Sequence, residues 1–447
     1  MSLAVHFVAL GCPKSRVDTE RMAGIARRCG MALAPDPAQA DVIVVNTCGF
    51  IQPATRESID TVLELARHKE GGRCATLVMA GCLPQRYADE LAREMPEVDH
   101  FIGTEDLPRL AEILAGAAPS RVSVSEPGGP LLDADYDRVP EPGAPHTAYL
   151  KIAEGCDRRC AFCIIPRLRG PQRSRTVESL TAEAAKLVRG GVRELCLVAQ
   201  DTTAYGRDLD PAPDLPRLLE ALDRLDGLRW IRVLYAYPTA VDHELMRAIA
   251  RLPRVVEYID VPLQHVDRDV LRAMRRGHDG AAARRLIEDL RSEVPGIHIR
   301  TTLLVGHPGE TEAAFRALAD FVAWAELDHV GVFPFWREEG TAAFALADQV
   351  PGAVVRERAA ALMEQQREIS RRKLARLRDQ ELEVMVDGPS PESEYLLQAR
   401  HAGQAPEVDG VVVLADSAGL HAPGDLVRVK VSDSGDYDLV ASPVDDA

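Results

Sequence analysis

The chain has no surplus of positive charge. Its 447 residues carry 53 Lys and Arg against 69 Asp and Glu, a net charge of −16. That balance argues against a general nucleic-acid coat, which needs cations to neutralise phosphates. There is no run of about 18 apolar residues, so nothing reads as a membrane span. The opening, MSLAVHFVALGC, has no Lys or Arg ahead of its apolar run, as an export signal would, and reads better as a first strand. Cysteine is sparse and odd in number, at nine, which excludes a secreted disulfide framework. What is present, 46% apolar and 27% charged residues, is ordinary core and surface material for roughly three domains. These absences point to a cytoplasmic enzyme whose unpaired cysteines bind metal or catalyse.

One shortage is local. The stretch EGCDRRCAFCIIPRLRG, residues 154–170, holds Cys156, Cys160 and Cys163 in a CxxxCxxC spacing. A structural zinc site closes its tetrahedron with four ligands. No fourth is at hand: the preceding His is His146 and the next Cys is Cys196. Either the metal centre is left open, or a distant segment completes it.

In the first hundred residues three apolar runs, VHFVALGC, DVIVVNTC and TLVMAGC, each end in a cysteine: Cys12, Cys48 and Cys82. Their separations, 36 and 34 residues, match one βα repeat. The segments between them, VDTERMAGIARRCG and TRESIDTVLELARHKEGG, are amphipathic and stop at glycine. Strands alternating with helices imply a parallel sheet, whose ligands gather beyond the carboxyl ends of its strands. A single such cysteine reads best as a small buried hydrophobe. Three at equivalent strand ends read as a set that converges. Cys29, Cys74 and Cys196 lack this placement and read as packing residues.

A Pro/Gly-rich stretch, SEPGGPLLDADYDRVPEPGAPH, reads as a linker. Six strand-like runs follow with helices between them: AYLKIAEGC, ELCLVAQD, WIRVLYAYP, VVEYIDVPLQH, HIRTTLLVGHPGE and DHVGVFPFWREEG. Six βα units are fewer than the eight of a closed barrel, so a partial, open barrel is expected, with its chemistry at the strands' carboxyl ends. Cys156, Gln200, Asp201, Tyr237, Gln264, His265, Gly306 and Arg337 to Glu339 are read at those ends. The helical segment from 351 carries many arginines, read as a solvated face. After it, five short strands separated by glycine turns suggest a small all-β barrel. Residues 381–447 hold fourteen Asp or Glu against three basic residues, Arg400, Arg428 and Lys430. Such a barrel would repel RNA and attract a basic protein.

A cubane of four irons and four sulfides on three thiolates leaves one iron without a protein ligand. S-adenosylmethionine (SAM) offers an amino group and a carboxylate to that iron. An electron from the cluster then breaks a carbon–sulfur bond and yields a 5′-deoxyadenosyl radical; the protein supplies ligation and placement. CxxxCxxC with an aromatic residue, Phe162, before its last Cys is the radical-SAM signature. Six arginines between residues 158 and 175 are candidates to offset the cluster's charge and meet the SAM carboxylate, or form an exposed basic loop. Gly191, Glu194, Gln200 and Gly306 are candidate SAM contacts by their position at strand ends.

The chain resembles the methylthiotransferases of the radical-SAM superfamily over nearly its whole length. Within them, LGCPKSRVDTE, VVNTCGFI, AGCLPQRY, YIDVPLQH and VGVFPFWREEGTAA are similar to the ribosomal-protein branch. Ser15, where asparagine is usual, and His307, in place of an aromatic, depart from its pattern. The resemblance implies an α/β amino-terminal domain at 1–118, a linker at 119–145, a partial (βα)6 radical-SAM barrel at 146–379 and a TRAM barrel at 380–447. It implies two 4Fe–4S clusters, one on Cys156, Cys160 and Cys163, the other an auxiliary cluster on Cys12, Cys48 and Cys82 that holds the sulfur to be transferred. The implied reaction puts a methylthio group on the β-carbon of an aspartate in small-subunit ribosomal protein twelve. SAM serves as methyl donor and radical source, with an electron donor such as flavodoxin or ferredoxin and a separate sulfur donor. The neighbouring alternative is the same chemistry on a tRNA adenosine. A non-catalytic iron–sulfur or zinc scaffold is the alternative from another class.

Overall fold

In the computed structural model, residues 3–129, 131, 138–140, 145–415 and 419–444 are described. Much of the expected linker, and Asp416, Asp445 and Asp446 of the acidic tail, lie outside them. The amino-terminal sheet is parallel throughout. Its strands are β1 (Ala4–Ala9), β2 (Ala32–Leu33), β3 (Val42–Thr47), β4 (Thr76–Gly81), β5 (His100–Ile102) and β6 (Val122–Ser123), in the order β2-β1-β3-β4-β5-β6. Every residue of β3 is buried, as a central strand covered on both faces requires. The cysteine-bearing runs thus occupy three adjacent strands. Their ends are in register: Ala9 lies opposite Asn46, and Thr47 opposite Gly81. With about 4.8 Å between neighbouring strands, three segments leave one sheet edge within roughly 10 Å of each other. The short β5 and β6 have no long apolar run to announce them.

The second sheet is also parallel. It comprises β7 (Thr147–Lys151), then β10 (Glu194–Val198), β11 (Trp230–Val233), β12 (Val255–Asp260), β13 (His298–Val305) and β14 (His329–Pro334). The order β14-β13-β12-β11-β10-β7 has no bond between β14 and β7, so the expected barrel is open. Between β7 and β10, the two-residue strands β8 (Ala153–Glu154) and β9 (Arg173–Ser174) pair antiparallel and pinch the base of the three-cysteine loop. Outer helices start where Thr176, Asp214, Asp242, Asp267, Asp279 and Thr311 accept backbone N–H groups of the first turn. Leu195, Leu197, Ile231, Val233 and Ile259 pack outward against these helices in the main core. The alternate residues Tyr149, Cys196, Val198, Trp230 and Tyr258 form a second cluster with Val17, Met385 and Ala405. The first helix (Pro13–Arg28) and the carboxyl-terminal barrel are therefore packed against the inner face of the open sheet.

That terminal barrel is closed: β15 (Glu381–Ser390), β16 (Ser393–His401), β17 (Val412–Ala415), β18 (Leu426–Ser434) and β19 (Leu439–Pro443) run in the order β15-β16-β17-β19-β18 around their own core. The helix Gly352–Ala375 leads into it. Four of its five arginines are exposed; Arg367 and Arg371 pair on the helix with Glu364 and Glu368, and Arg372 reaches Glu326. Arg358 is the exception: it is buried and bonded to Glu310 Oε1 at 2.7 Å. Among the described residues no helix is long and apolar enough to cross a membrane.

Candidate active site

The carboxyl ends of β1, β3 and β4 face those of the open barrel. Cys12, Cys48, Cys82, Cys156, Cys160 and Cys163 all line one cavity of about 430 Å³ between them. Glycine allows the approach on the amino-terminal side. Gly11 has φ +97°, and a Cβ there would lie 2.9 Å from Cys48 Cβ. Gly81 has φ +95°, and a Cβ would lie 2.2 Å from Asn46 Oδ1. Both positions are closed to other residues by backbone strain and by contact.

Arg169 in the cavity wall, and polar groups beside the cavity, tie the two halves together. Arg169 is buried at 2% exposure and donates to Cys82 Sγ at 3.3 Å, Asp18 Oδ2 at 2.8 Å and Glu154 Oε2 at 3.0 Å. Lys151 donates to the same Glu154 oxygen at 2.8 Å and also to Asp18. Two cations and two carboxylates thus neutralise each other at the seam. Burial alone would raise the Glu154 pKa, but Arg169 and Lys151 outweigh it and hold the carboxyl well below its ordinary range. A second join is made by Glu338, in the stretch REEG. Its Oε1 accepts from Gln52 N at 2.7 Å and its Oε2 from Arg86 Nη1 at 2.9 Å, and the same nitrogen reaches Gly49 O at 2.8 Å.

Around the compact loop, Arg158 N donates to Cys156 Sγ at 3.4 Å and Arg276 Nη1 to Cys160 Sγ at 3.5 Å. The guanidinium groups of Arg158 and Arg276 lie 3.8 and 4.2 Å from the centre of the Tyr237 ring. Lys14 Nζ lies 3.7 Å from the Tyr235 ring centre. Burial pushes the Cys48 and Cys163 thiols up to about 12 and Cys156 up to about 11. It also raises Cys82 against the pull of Arg169. Cys12 goes the other way: burial would raise it too, but Lys14 and Arg169 lower it below the ordinary thiol value.

Of the four residues read as SAM contacts, only Gln200 lines this cavity. Glu194 opens β10 rather than closing it. It lies at the amino end of the strand, wholly buried, paired to Arg232 Nε at 2.9 Å and Arg400 Nη2 at 2.8 Å. Gly191 sits in the turn before it. Both therefore sit at the amino end of β10, away from the cavity. Gly306 follows β13 at the right end, yet its side-chain position is filled by Val355, and its N–H donates to Glu310 Oε2 at 2.7 Å. Asp201 is turned to Arg158 Nε at 2.8 Å. Ser15 lines the cavity and His307 does not. Cys74 and Cys196 are buried, as packing residues should be, whereas Cys29, at the end of its helix, is exposed. Asp18, Lys151, Arg86 and Arg276 escaped the sequence reading because each acts on a partner far away in the chain.

The donor set fits iron–sulfur ligation. Thiolates on a cluster accept N–H bonds, and the sulfurs of Cys82, Cys156 and Cys160 each face an N–H donor, as do those of Cys12, Cys48 and Cys163 from the backbone that follows them. Gln200 Oε1, Arg158 Nη2 and Arg276 Nε are buried without a hydrogen-bond partner among the described residues, so the cavity offers unmet polar groups to a ligand.

An open parallel barrel with a three-cysteine loop after its first strand defines a radical-SAM protein. The radical SAM superfamily matches over residues 150–322, the Uncharacterized protein family UPF0004 over 4–103 and the TRAM domain over 380–444. Ribosomal protein uS12 methylthiotransferase RimO of Sorangium cellulosum is 50% identical over 100% of this chain and 92% of its own length. Its counterpart in Geobacter sulfurreducens is 48% identical over 98% and 97%. The chain belongs to this RimO family of methylthiotransferases. Among solved structures, the radical SAM methyltransferase TsrM of Kitasatospora setae shares the fold, with a TM-score of 0.58 at 16% identity over 77% of each chain. The radical-SAM class uses SAM and a 4Fe–4S cluster.

Proposed function

We propose that the chain attaches a methylthio group to the β-carbon of an aspartate in ribosomal protein uS12, in the cytoplasm. The observation that carries this reading is the meeting of two cysteine triads from different sheets on one cavity. Cys156, Cys160 and Cys163 hold the 4Fe–4S cluster that engages SAM; Cys12, Cys48 and Cys82 hold a second one. Together the bound groups supply radical hydrogen abstraction and methylthio transfer. The chain's own residues do the placing. Arg169 neutralises the seam and bonds Cys82, Arg276 bonds Cys160, and Glu338 locks the Cys48 loop to the barrel. Gln200 is the residue best placed to touch SAM. An amino-terminal unit that runs past 118 to take in β6 at Val122–Ser123, a core at 146–379 and a TRAM unit at 380–447 divide the work.

The acidity of the TRAM barrel supports a basic protein substrate over tRNA, although part of it is spent internally. Asp387 and Asp409 pair with Arg400 and Arg300 at the barrel seam, and Glu381 pairs with Arg428. A low-potential electron donor and a sulfur donor complete the reaction. The test is the intact mass of uS12 from cells with and without this gene. Heavier uS12 by one methylthio group only with the gene supports the reading; identical masses refute it.

A further inference from the structure

The segment after β12 backs the three-cysteine loop. Ala161 N donates to Met274 O at 2.9 Å, and Met274 packs with Phe162, Val270 and Leu271. Arg276, two residues on, bonds Cys160 Sγ. On the outer side of this backing lies an open basin of about 530 Å³. It is lined by Arg268, Arg272, Arg275, Arg276 and Arg285, with Asp279 as its one carboxylate. Asp279 is already engaged in capping the helix Gly280–Glu293 through Ala282 N at 2.8 Å. The side chains of Arg268 and Arg272 are 78% and 73% exposed, and their one carboxylate neighbour is Asp269. Four exposed arginines, Arg268, Arg272, Arg275 and Arg285, are thus gathered on the surface of a chain whose net charge is −16, while Arg276 at the basin's floor turns inward to Cys160.

We infer that this basin docks an acidic one-electron donor protein against the back of the Cys160 loop. The inference rests on the radical-SAM reading above. An acidic partner is repelled by a chain of net negative charge except where the local sign reverses. Here the reversal adjoins the loop, since Arg276 lines the basin and also bonds Cys160 Sγ at 3.5 Å, and electron transfer falls steeply with distance. The step is balanced: the donor loses one electron, the cluster gains it, and no proton or group moves. RNA is the other polyanion to consider. Single-stranded sites add aromatic platforms to their cations, and no Phe, Tyr or Trp lines this basin.

The test uses the reconstituted holoenzyme and purified flavodoxin or ferredoxin, with binding measured by calorimetry. Wild-type affinity should fall as salt rises, since exposed charges are screened over about 8 Å at physiological ionic strength. The variant Arg268→Glu/Arg272→Glu/Arg275→Glu should bind at least about tenfold more weakly at low salt. Its SAM cleavage should drop with the protein donor and stay unchanged with dithionite, which needs no docking. Arg285→Glu, on a separate helix, should weaken donor binding about threefold, so the result does not depend on one segment's folding. Failure of dithionite to drive cleavage even in wild type would strike the radical-SAM reading, while the binding arm still judges the basin. Undiminished donor binding by the variants, no donor binding by wild type, or loss of binding to a short RNA without loss of donor binding would overturn the inference.

Discussion

The two cysteine triads reach the same cavity by opposite routes. Cys156, Cys160 and Cys163 sit on one loop, and their spacing alone makes them a set. Cys12, Cys48 and Cys82 are spread over seventy residues and become a set only because β1, β3 and β4 are neighbours in register. Their electrostatics also differ. Burial pushes up Cys156 and Cys163 in the compact loop and Cys48 and Cys82 in the dispersed triad, but Lys14 and Arg169 draw Cys12 of the dispersed triad down. A local motif is robust to shifts of the rest of the fold; a dispersed one depends on the sheet and on the seam that holds the two halves together.

The comparison can be broken most forcefully at the compact triad. Replacing Cys156, Cys160 and Cys163 with Ala should abolish 5′-deoxyadenosine formation from SAM in a dithionite-driven assay. Replacing Cys12, Cys48 and Cys82 should leave SAM cleavage measurable and eliminate methylthio product on uS12. Product formed by that second variant would contradict a separate role for the dispersed triad. At the seam, Arg169→Ala leaves Asp18 and Glu154 buried with one cation between them. It should cost about 3–5 kcal/mol, read from urea unfolding. Glu338→Ala breaks a smaller join and should cost about 1–3 kcal/mol, with the amino-terminal sheet still folded.

The raised thiols sharpen the comparison through pH. In the metal-free protein Cys48 and Cys163 stay protonated up to about 12, against an ordinary value of 9.0. Between those values the unfolded chain has released protons that the folded chain retains. Stability is therefore full below pH 9 and falls as pH rises toward 12. Metal ligation deprotonates the thiols outright, so the loaded protein should lose this dependence, and loading should release protons. Urea midpoints at several pH values, with and without metal, check both signs.

Much of this was legible in the chain. All six barrel strands and all five strands of the terminal barrel were marked by apolar runs, because buried parallel strands and small barrels leave that trace. The six cysteines were legible for two reasons, local spacing in one set and strand-end repetition in the other. What the sequence hid depends on direction and distance. Glu194 and Gly191 looked like strand-end ligands, yet a residue that opens a strand lies a full strand length from one that closes it. Asp18, Lys151 and Glu154 form a site only after Asp18, 133 residues before Lys151, is folded against it. Acidity of the terminal barrel read as free surface charge, but Asp387 and Asp409 turn inward to arginines that composition could not assign to them.

The central claim is that two independent three-thiolate sites meet on one cavity, and iron counting tests it most directly. Anaerobically reconstituted wild-type protein should hold roughly eight irons, two 4Fe–4S clusters by Mössbauer spectroscopy. Each triple-Ala variant should hold about half of that, with the remaining cluster intact. A wild-type protein with only one cluster, or a single triad whose removal empties both sites, would contradict it.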